Sequence, residues 1–378
     1  MKILYLAHIR LPTENAHGIQ IMKTCEALAR AGHKVELVVP KRKNTIAQDP
    51  FTYYAVEPIF RITFLRTPNL IGLGRIGFRA AELWFSEYTH LRRAFWQADI
   101  IYSRDEFVLA QYIFLGRPLV FEAHGTPTRL QAFVAHRARA IVAISHGIER
   151  AYIAQGISPA KITVAPDAVD FAAFDIPQTR DEARAMLGIP LEKQIIGYVG
   201  KYTIKGKSKG VGNIIIAAGI FAKEHPSAAL LLVGIEEREH FAVRDLLKNA
   251  GLSESAFVVG HISRAQVPLY LRAADVLVMN YPNEDHYRNY MSPMKLFEYM
   301  ASGTPIVTSD LPSVREILTD AEAFFCTPDD TEALARALAE ALAYPEEAAT
   351  RARRARERAA EYTWEKRAAS ILAFIQRL

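Results

Sequence analysis

Short apolar runs alternate with amphipathic segments from one end of the chain to the other, and the two periods predict strands separated by helices. In the first half, β-branched and aliphatic runs predict strands at 2–7, 34–39, 61–65, 99–102, 118–122, 140–144 and 161–164. A helix-period stretch at 18–31, closed by Gly32, is the first of the segments between them. Strands that are apolar at successive positions and joined by helices are those of parallel sheets covered on both faces.

Around 171–190 the strand signals lapse, and Pro177, Gly188 and Pro190 punctuate the chain, so a domain junction is expected there. A second series follows, with strands expected at 194–199, 228–233, 256–259, 275–279, 305–308 and 323–326. Its helices are expected at 211–224, 264–273, 293–302 and 331–343, with one or two more in the Ala-, Arg- and Glu-rich stretch 345–378. The expected architecture is α/β: two Rossmann-like, doubly wound domains, 1–175 and 176–360, facing a cleft, with 361–378 as a terminal helical segment. In such sheets ligands bind beyond the carboxyl ends of the strands.

Two stretches of the second series carry candidate chemistry. In Met291-Ser292-Pro293-Met294-Lys295-Leu296-Phe297-Glu298, Ser292 suits an N-cap and Pro293 the first helical position, while Gly303 and Pro305 form a stop. A helix start carries a partial positive charge of about +0.5, and Lys295 in the same turn is unfavourable there unless an anion compensates it. A phosphate would be held well at that point. The alternative is a solvent-exposed pair between Lys295 and Glu298, one turn apart. The other stretch, Gly197 onward, places Gly200, Lys201, Lys205, Gly206, Lys207, Lys209 and Gly210 directly after a strand. Such a loop can approach and neutralise phosphates, or it is a solvated basic loop. It lacks the spacing of a P-loop.

Gly72-Leu73-Gly74-Arg75-Ile76-Gly77 satisfies a dinucleotide fingerprint, but Thr67-Pro68-Asn69 separates it from the preceding strand and Asp99 precedes a strand instead of ending one. A loop before an amphipathic helix is the better meaning. At 378 residues, half of them apolar, the chain is expected to be a soluble two-domain protein. The two cysteines, Cys25 and Cys326, point to a reducing compartment and no metal site. No run reaches the roughly 18 apolar residues of a membrane span, and 2–7 is a first strand instead of a leader peptide. The location expected is cytoplasmic. A net charge of +5 suits an anionic ligand or surface, while zinc, basic-zipper and RNA-binding signatures are missing, so no nucleic-acid partner is expected. In 75–97, Phe78, Leu83, Trp84, Phe85 and Phe95 accompany Arg75, Arg79, Arg92 and Arg93; this is either core packing or peripheral contact with an anionic membrane face.

Five pieces in sequence order carry a family resemblance. They are His17-Gly18 before a helix ending at Ala31-Gly32-His33-Lys34-Val35; 140–145 through 165–170; Val258-Val259-Gly260-His261-Ile262; Ala274-Asp275-Val276-Leu277-Val278; and, strongest, Phe297-Glu298-Tyr299-Met300-Ala301-Ser302-Gly303-Thr304-Pro305. Over nearly the whole chain they resemble the retaining family-4 glycosyltransferases (glycosyl transferases group 1) of GT-B fold. The resemblance implies a nucleotide-sugar donor on the second domain, and a glycan or lipid-linked acceptor mainly on the first. It implies that Lys201 and Lys209 contact the diphosphate and that the amides around Ser292, Met294 and Lys295 cap it. Glu298 would then hold the ribose, and Gly260, His261 and Ile262 would frame the base. Gly18 and Gly200, the glycines of the matching loops, join the donor-contacting set. His124 is similar to a histidine that faces the transferred sugar in some members, with a satisfied core histidine as the equal alternative. Where many members carry a further glutamate, this chain has Tyr290, and Glu284 or Asp285 are the acids placed to substitute.

No Asp-x-Asp triplet occurs, so metal-independent transfer is expected, with lysines and amides in the metal's place. The resemblance implies retention of configuration and a role in polysaccharide or glycolipid assembly. It also implies a terminal helix, beginning near Tyr362, that returns to the first domain and whose removal lowers stability. The alternatives are another GT-B enzyme, such as a nucleotide-sugar epimerase or a phosphorylase, and a non-catalytic nucleotide-binding scaffold.

Overall fold

The structure, a computed structural model, describes residues 1–68, 70, 73–92, 97–204 and 207–378, with the side chains of all but 75, 115, 204, 207 and 208. Asn69, Gly72, Arg93, Phe95, Lys205 and Gly206, and the side chains of Arg75, Lys207 and Ser208, therefore lie outside the described residues. The chain forms two compact units, Met1–Asp167 with Trp364–Leu378, and Ala168–Thr363.

The first unit holds a seven-stranded parallel sheet. Its strands are β1 (Lys2–Leu6), β2 (Lys34–Lys41), β3 (Arg61–Arg66), β4 (Ile100–Ser103), β5 (Leu119–Ala123), β6 (Ala140–Ala143) and β7 (Ile162–Val164), in the order β3-β2-β1-β4-β5-β6-β7. β4, β5 and β6 are buried at every position, as strands covered on both faces must be. The order reverses between β1 and β4, which makes their carboxyl ends the switch point. Asp99 accepts from the Lys2 backbone N–H at 2.7 Å, so this acid ties the sheet together at β1. The terminal helix Trp364–Arg377 packs on the helix Ala16–Arg30 and buries Trp364, Ile371, Leu372 and Ile375.

The second unit repeats the plan. Its strands are β8 (Gln194–Val199), β11 (Ala228–Val233), β12 (Ala256–Val259), β13 (Val276–Met279), β14 (Ile306–Ser309) and β15 (Phe324–Cys326), all parallel, in the order β12-β11-β8-β13-β14-β15. Periodicity did not predict the two-residue strands β9 (Thr203–Ile204) and β10 (Lys207–Ser208), which pair antiparallel after β8. The switch point here falls between β8 and β13.

The units divide at Asp167–Ala168, earlier than the expected boundary at 175–176, because the segment after 168 packs into the second core. Val169, Phe174, Ala183 and Ile189 share a hydrophobic cluster with Leu271 and Phe297. Within it the buried Arg184 donates to the carbonyls of Ala273, Leu191 and Lys193 and pairs with Asp275 at 2.5 Å. Asp275 also accepts from the Ile195 N–H at 2.6 Å, which fixes the helix Arg180–Leu187 against the start of β8. A buried charge pair with all its donors placed holds such a junction specifically.

Replacing Ile371, which is fully buried, with Ala is expected to destabilise the first unit by about 2–5 kcal/mol. Urea unfolding followed by a first-unit probe checks this; a midpoint unchanged from wild type would show that the terminal helix adds nothing to that core.

Candidate functional site

The carboxyl end of β8 and the start of the helix Met294–Ser302 are bound together by one side chain. The Tyr299 hydroxyl, buried in that helix, accepts from the Val199 N–H at 2.9 Å. The helix is thereby locked in register, and Lys295 and Glu298, four and one residues before Tyr299, are carried to the end of β8. Lys295 lies with its Nζ 3.6 Å from the centre of the Tyr198 ring, a cation–π contact. A Cβ on Gly200, where φ is +148°, would sit 2.5 Å from that Nζ. The space left by glycine is therefore occupied by the ammonium group. Gly210, at φ +81°, allows a second close approach, since a Cβ there would fall 1.7 Å from the Asn280 carbonyl oxygen beyond β13. The loop between β8 and the next helix is thus pinned to the β8–β13 switch point at both ends.

Lys201, Lys209, Lys295 and Glu298 feel one another's charge. Burial and the charge of Lys201 lower the Lys209 amine to about 8, with Glu298 opposing them. Burial and the charge of Lys209 bring Lys295 well below the usual lysine range. Lys201 is 3.7 Å from the Glu236 carboxylate. The Glu298 carboxylate pairs with Arg264 at 2.6 Å. Lys209 and Lys295 are thus a desolvated pair of cations with Glu298 on the rim and the Lys201–Glu236 pair beside them, and an anion of high charge density would relieve the repulsion.

The helix start differs from the expected cap. Pro293, at φ −83° and ψ 122°, is the N-cap and Met294 the first helical residue, one position later than Ser292 and Pro293 were expected to serve. The extended proline, preceded by a π-helical turn at His286–Tyr290, leaves Ser292 outside the first turn, where it is buried. Among the described residues no side chain caps this helix, so its leading amides lack a side-chain acceptor. Met294 is buried. Gly260, whose carbonyl accepts from the Gly234 N–H at 3.1 Å, His261, which is exposed, and Ile262 follow β12 and so border the same end of the sheet. Tyr290 ends the π-helical turn, while Glu284 and Asp285 are exposed before it, and Asp285 accepts from Asn289 at 2.8 Å.

In the first unit, His124 follows β5 and keeps a fifth of its side chain exposed (20%). Its Nε2 lies 2.8 Å from Glu122 Oε1, and burial together with the charge of Arg104 lowers the imidazole to about 4, which keeps it neutral near pH 7. Gly18 serves packing: a Cβ there would lie 2.1 Å from the Tyr54 hydroxyl, which exchanges hydrogen bonds with the Thr13 backbone. Tyr54 takes the space that a side chain at this position would need. A groove of about 1080 Å³ beside the helix Gly74–Leu91 is lined by Ile76, Phe78, Arg79, Leu83 and Phe107. Among the described residues, ligand atoms of His8, Glu82 and Asp105 lie within 4.8 Å of one another, yet the charges are met internally. Arg42 approaches His8 at 2.7 Å, Arg79 pairs with Glu82 at 2.6 Å, and Asp105 caps the helix Glu106–Tyr112.

Arg264, Tyr198 and Asn280 were not singled out by sequence, because each is defined by what it meets in space. Glu122 did carry a signal: a carboxylate inside the otherwise apolar strand Leu119–Ala123 must be paired to be buried there.

Comparison with known proteins bears on the family and the fold. The profile described as glycosyl transferases group 1 matches residues 179–358, and that of glycosyltransferase family 4 matches residues 18–173. The phosphatidyl-myo-inositol mannosyltransferase of Mycolicibacterium smegmatis is 28% identical over 209 residues, 55% of this chain and 50% of that protein. A D-inositol 3-phosphate glycosyltransferase of Corynebacterium urealyticum is 25% identical over 58% of this chain and 52% of its own. The chain spans about half the length of these curated relatives. Sucrose-phosphate synthase of Thermosynechococcus elongatus superposes with a TM-score of 0.80 at 20% identity, covering 100% of this chain and 98% of that one. Anabaena HepE, in complex with UDP and glucose, gives 0.76 at 18% identity over 100% of both chains. The fold is GT-B, two α/β units of the kind described above. The chain belongs to the family-4 glycosyltransferases.

Titration with uridine diphosphate at pH 8.5, where the Lys209 amine is mostly neutral, is expected to draw in about half a proton or more per site, because a bound diphosphate raises that amine again. The measurement is the difference in titration heat between buffers of unlike ionisation enthalpy. Binding with identical heats in both would remove Lys209 from the anion site.

Proposed function

We propose that the chain is a retaining, metal-independent glycosyltransferase that moves a sugar from a nucleotide-diphosphate sugar to a hydroxyl of a glycan or lipid-linked acceptor. The observation that carries this reading is the convergence of Lys201, Lys209, Lys295 and Glu298 at the β8 switch point. A diphosphate would supply counter-charge to Lys209 and Lys295, with Lys201 in reach beside its partner Glu236, and the amides at the start of the 294–302 helix, which no side chain caps, would add donors to it. Glu298, already oriented by Arg264, would accept the two ribose hydroxyls.

In the reaction the bond between the anomeric carbon and the phosphate oxygen breaks, and the electron pair leaves with the nucleoside diphosphate. The acceptor oxygen forms its bond on the same face of the sugar, and its proton passes to the departing phosphate. Negative charge grows on the diphosphate as positive charge grows on the sugar ring. Ammonium groups already crowded together stabilise that phosphate without reorganising, the term that dominates many enzymic rate enhancements. No protein nucleophile takes part. Among the described residues no helix is long and apolar enough to cross a membrane. The groove beside Gly74–Leu91, with Ile76, Leu83 and Trp84 exposed next to Arg79, supports a lipid-linked acceptor presented at an anionic surface. Relatives named phosphatidyl-myo-inositol mannosyltransferase and alpha-monoglucosyldiacylglycerol synthase support the same choice.

Lys201→Ala and Lys209→Ala are each expected to lower kcat by ~10²–10³-fold, the loss seen when one preorganised donor is removed. The assay is transfer from a panel of nucleotide sugars; activity within a few-fold of wild type in both variants would refute the lysine assignment. Product of inverted configuration, read by NMR, would refute the same-face mechanism and leave the binding site standing. Co-flotation with anionic liposomes is expected at moderate salt and is expected to be lost on Trp84→Glu; wild-type protein left at the bottom of the gradient would refute the surface contact.

A further inference from the structure

Glu122 is fully buried on β5, and its carboxylate is met by several donors. The Tyr102 hydroxyl donates to Oε2 and the Gln20 amide to Oε1. Gln20 is fixed in that orientation because its own Oε1 accepts from Arg104 at 3.2 Å. His124 Nε2 lies 2.8 Å from Oε1. Among the described residues, the one guanidinium or ammonium group in direct ion-pair range comes from far along the chain: Arg367, on the terminal helix Trp364–Arg377, places Nη2 3.1 Å from Oε1. That contact acts through charge, since Nη2 does not meet hydrogen-bond geometry. Arg367 is held there by its Nε, which donates to the Pro166 carbonyl at 2.8 Å, and by Nη1, which reaches Thr24 at 3.4 Å. Burial would raise the Glu122 carboxyl, but Arg367, with the bonds from His124 and Tyr102, holds it well below the usual carboxylate range.

We infer that Arg367 is a positioning residue: by keeping Glu122 ionised it obliges His124 to donate from Nε2, and so presents Nδ1 as a hydrogen-bond acceptor for a ligand hydroxyl. An ionised carboxylate only accepts, and a neutral imidazole has one donor and one acceptor. The tautomer of His124 is therefore set by the charge on Glu122. Without the guanidinium, a carboxylate in this apolar strand would take up a proton. The protonated oxygen would then donate to Nε2, moving the imidazole proton to Nδ1 and reversing what a ligand meets. Arg104, Tyr5, Tyr102, Cys25 and Asp167 also act on this group of charges, and among the described residues Arg367 is the arginine or lysine that forms an ion pair with Glu122. That the hydroxyl belongs to the sugar or its acceptor rests on the proposed function; the tautomer does not.

Histidine-labelled protein, with the His124 signals assigned by their loss in His124→Gln, is expected to show the Nε2–H tautomer in long-range ¹H–¹⁵N spectra at pH 7.5. Arg367→Met is expected to shift His124 to the Nδ1–H form, and Arg367→Lys to keep Nε2–H. An Nδ1–H tautomer in wild type, or an unchanged one in folded Arg367→Met, would overturn the inference. A second measurement needs no Arg367 variant: the Glu122 ¹³Cδ shift in wild type is expected to stay constant from pH 8 to 5, and titration in that range would overturn it as well. In transfer assays Arg367→Met is expected to lower kcat at least tenfold with donor KM within twofold, and Arg367→Lys to recover to within threefold of wild type. A wild-type chain inactive with every donor would refute the reaction while the tautomer measurement still decides the role of Arg367.

Discussion

Ammonium groups packed closer than water would leave them are the constraint on which the second unit depends. Lys209 and Lys295 lose hydration on folding and Lys209 repels Lys295, while among the described residues Glu298 is the carboxylate that opposes both shifts. The aromatic face of Tyr198 and the rim carboxylate of Glu298 offset part of that penalty. What keeps the arrangement from spreading apart is backbone: glycines where the chain must approach, and the Tyr299 hydroxyl that clasps the helix to the end of β8. The proposed donor site rests on that incompletely offset positive charge.

The first unit handles buried charge in the opposite way. Its central carboxylate, Glu122, is oversupplied with donors, so it stays ionised in an apolar strand. Where the second unit leaves cations unsatisfied for a ligand to complete, the first satisfies its anion internally and passes the consequence to one neighbouring imidazole. Both groups lie at the carboxyl ends of parallel strands, where the topology opens a place for them in each sheet.

Much of this was legible in the sequence. The thirteen longer strands were expected within a residue or two of where they lie, because β-branched runs bounded by turns have few other solutions. The helix around Lys295 and Glu298 was recognisable from its proline, its stop and its ill-placed lysine. Its cap was off by one, since an extended Pro293 and a cap-ready Ser292 look alike until the preceding turn is known to be π-helical. The hairpin β9–β10 was missed because two-residue strands have no period to read. The domain boundary was placed late because punctuation by Pro and Gly marks turns, whereas Arg184 and Asp275 decide which core a turn belongs to. Arg264 and Arg367 are two of many arginines in the chain, and only folding tells them apart from solvated ones.

The first unit is built from two separated lengths of chain, with all of Ala168–Thr363 inserted between them. A nascent polypeptide can therefore close the second sheet as soon as it is synthesised, while the earlier sheet waits with the groove for Trp364, Ile371 and Ile375 unfilled and Glu122 without its guanidinium. Order of manufacture and order of completion are reversed in this molecule. The unit whose sheet is made first is completed only once the helix Trp364–Arg377 has been made.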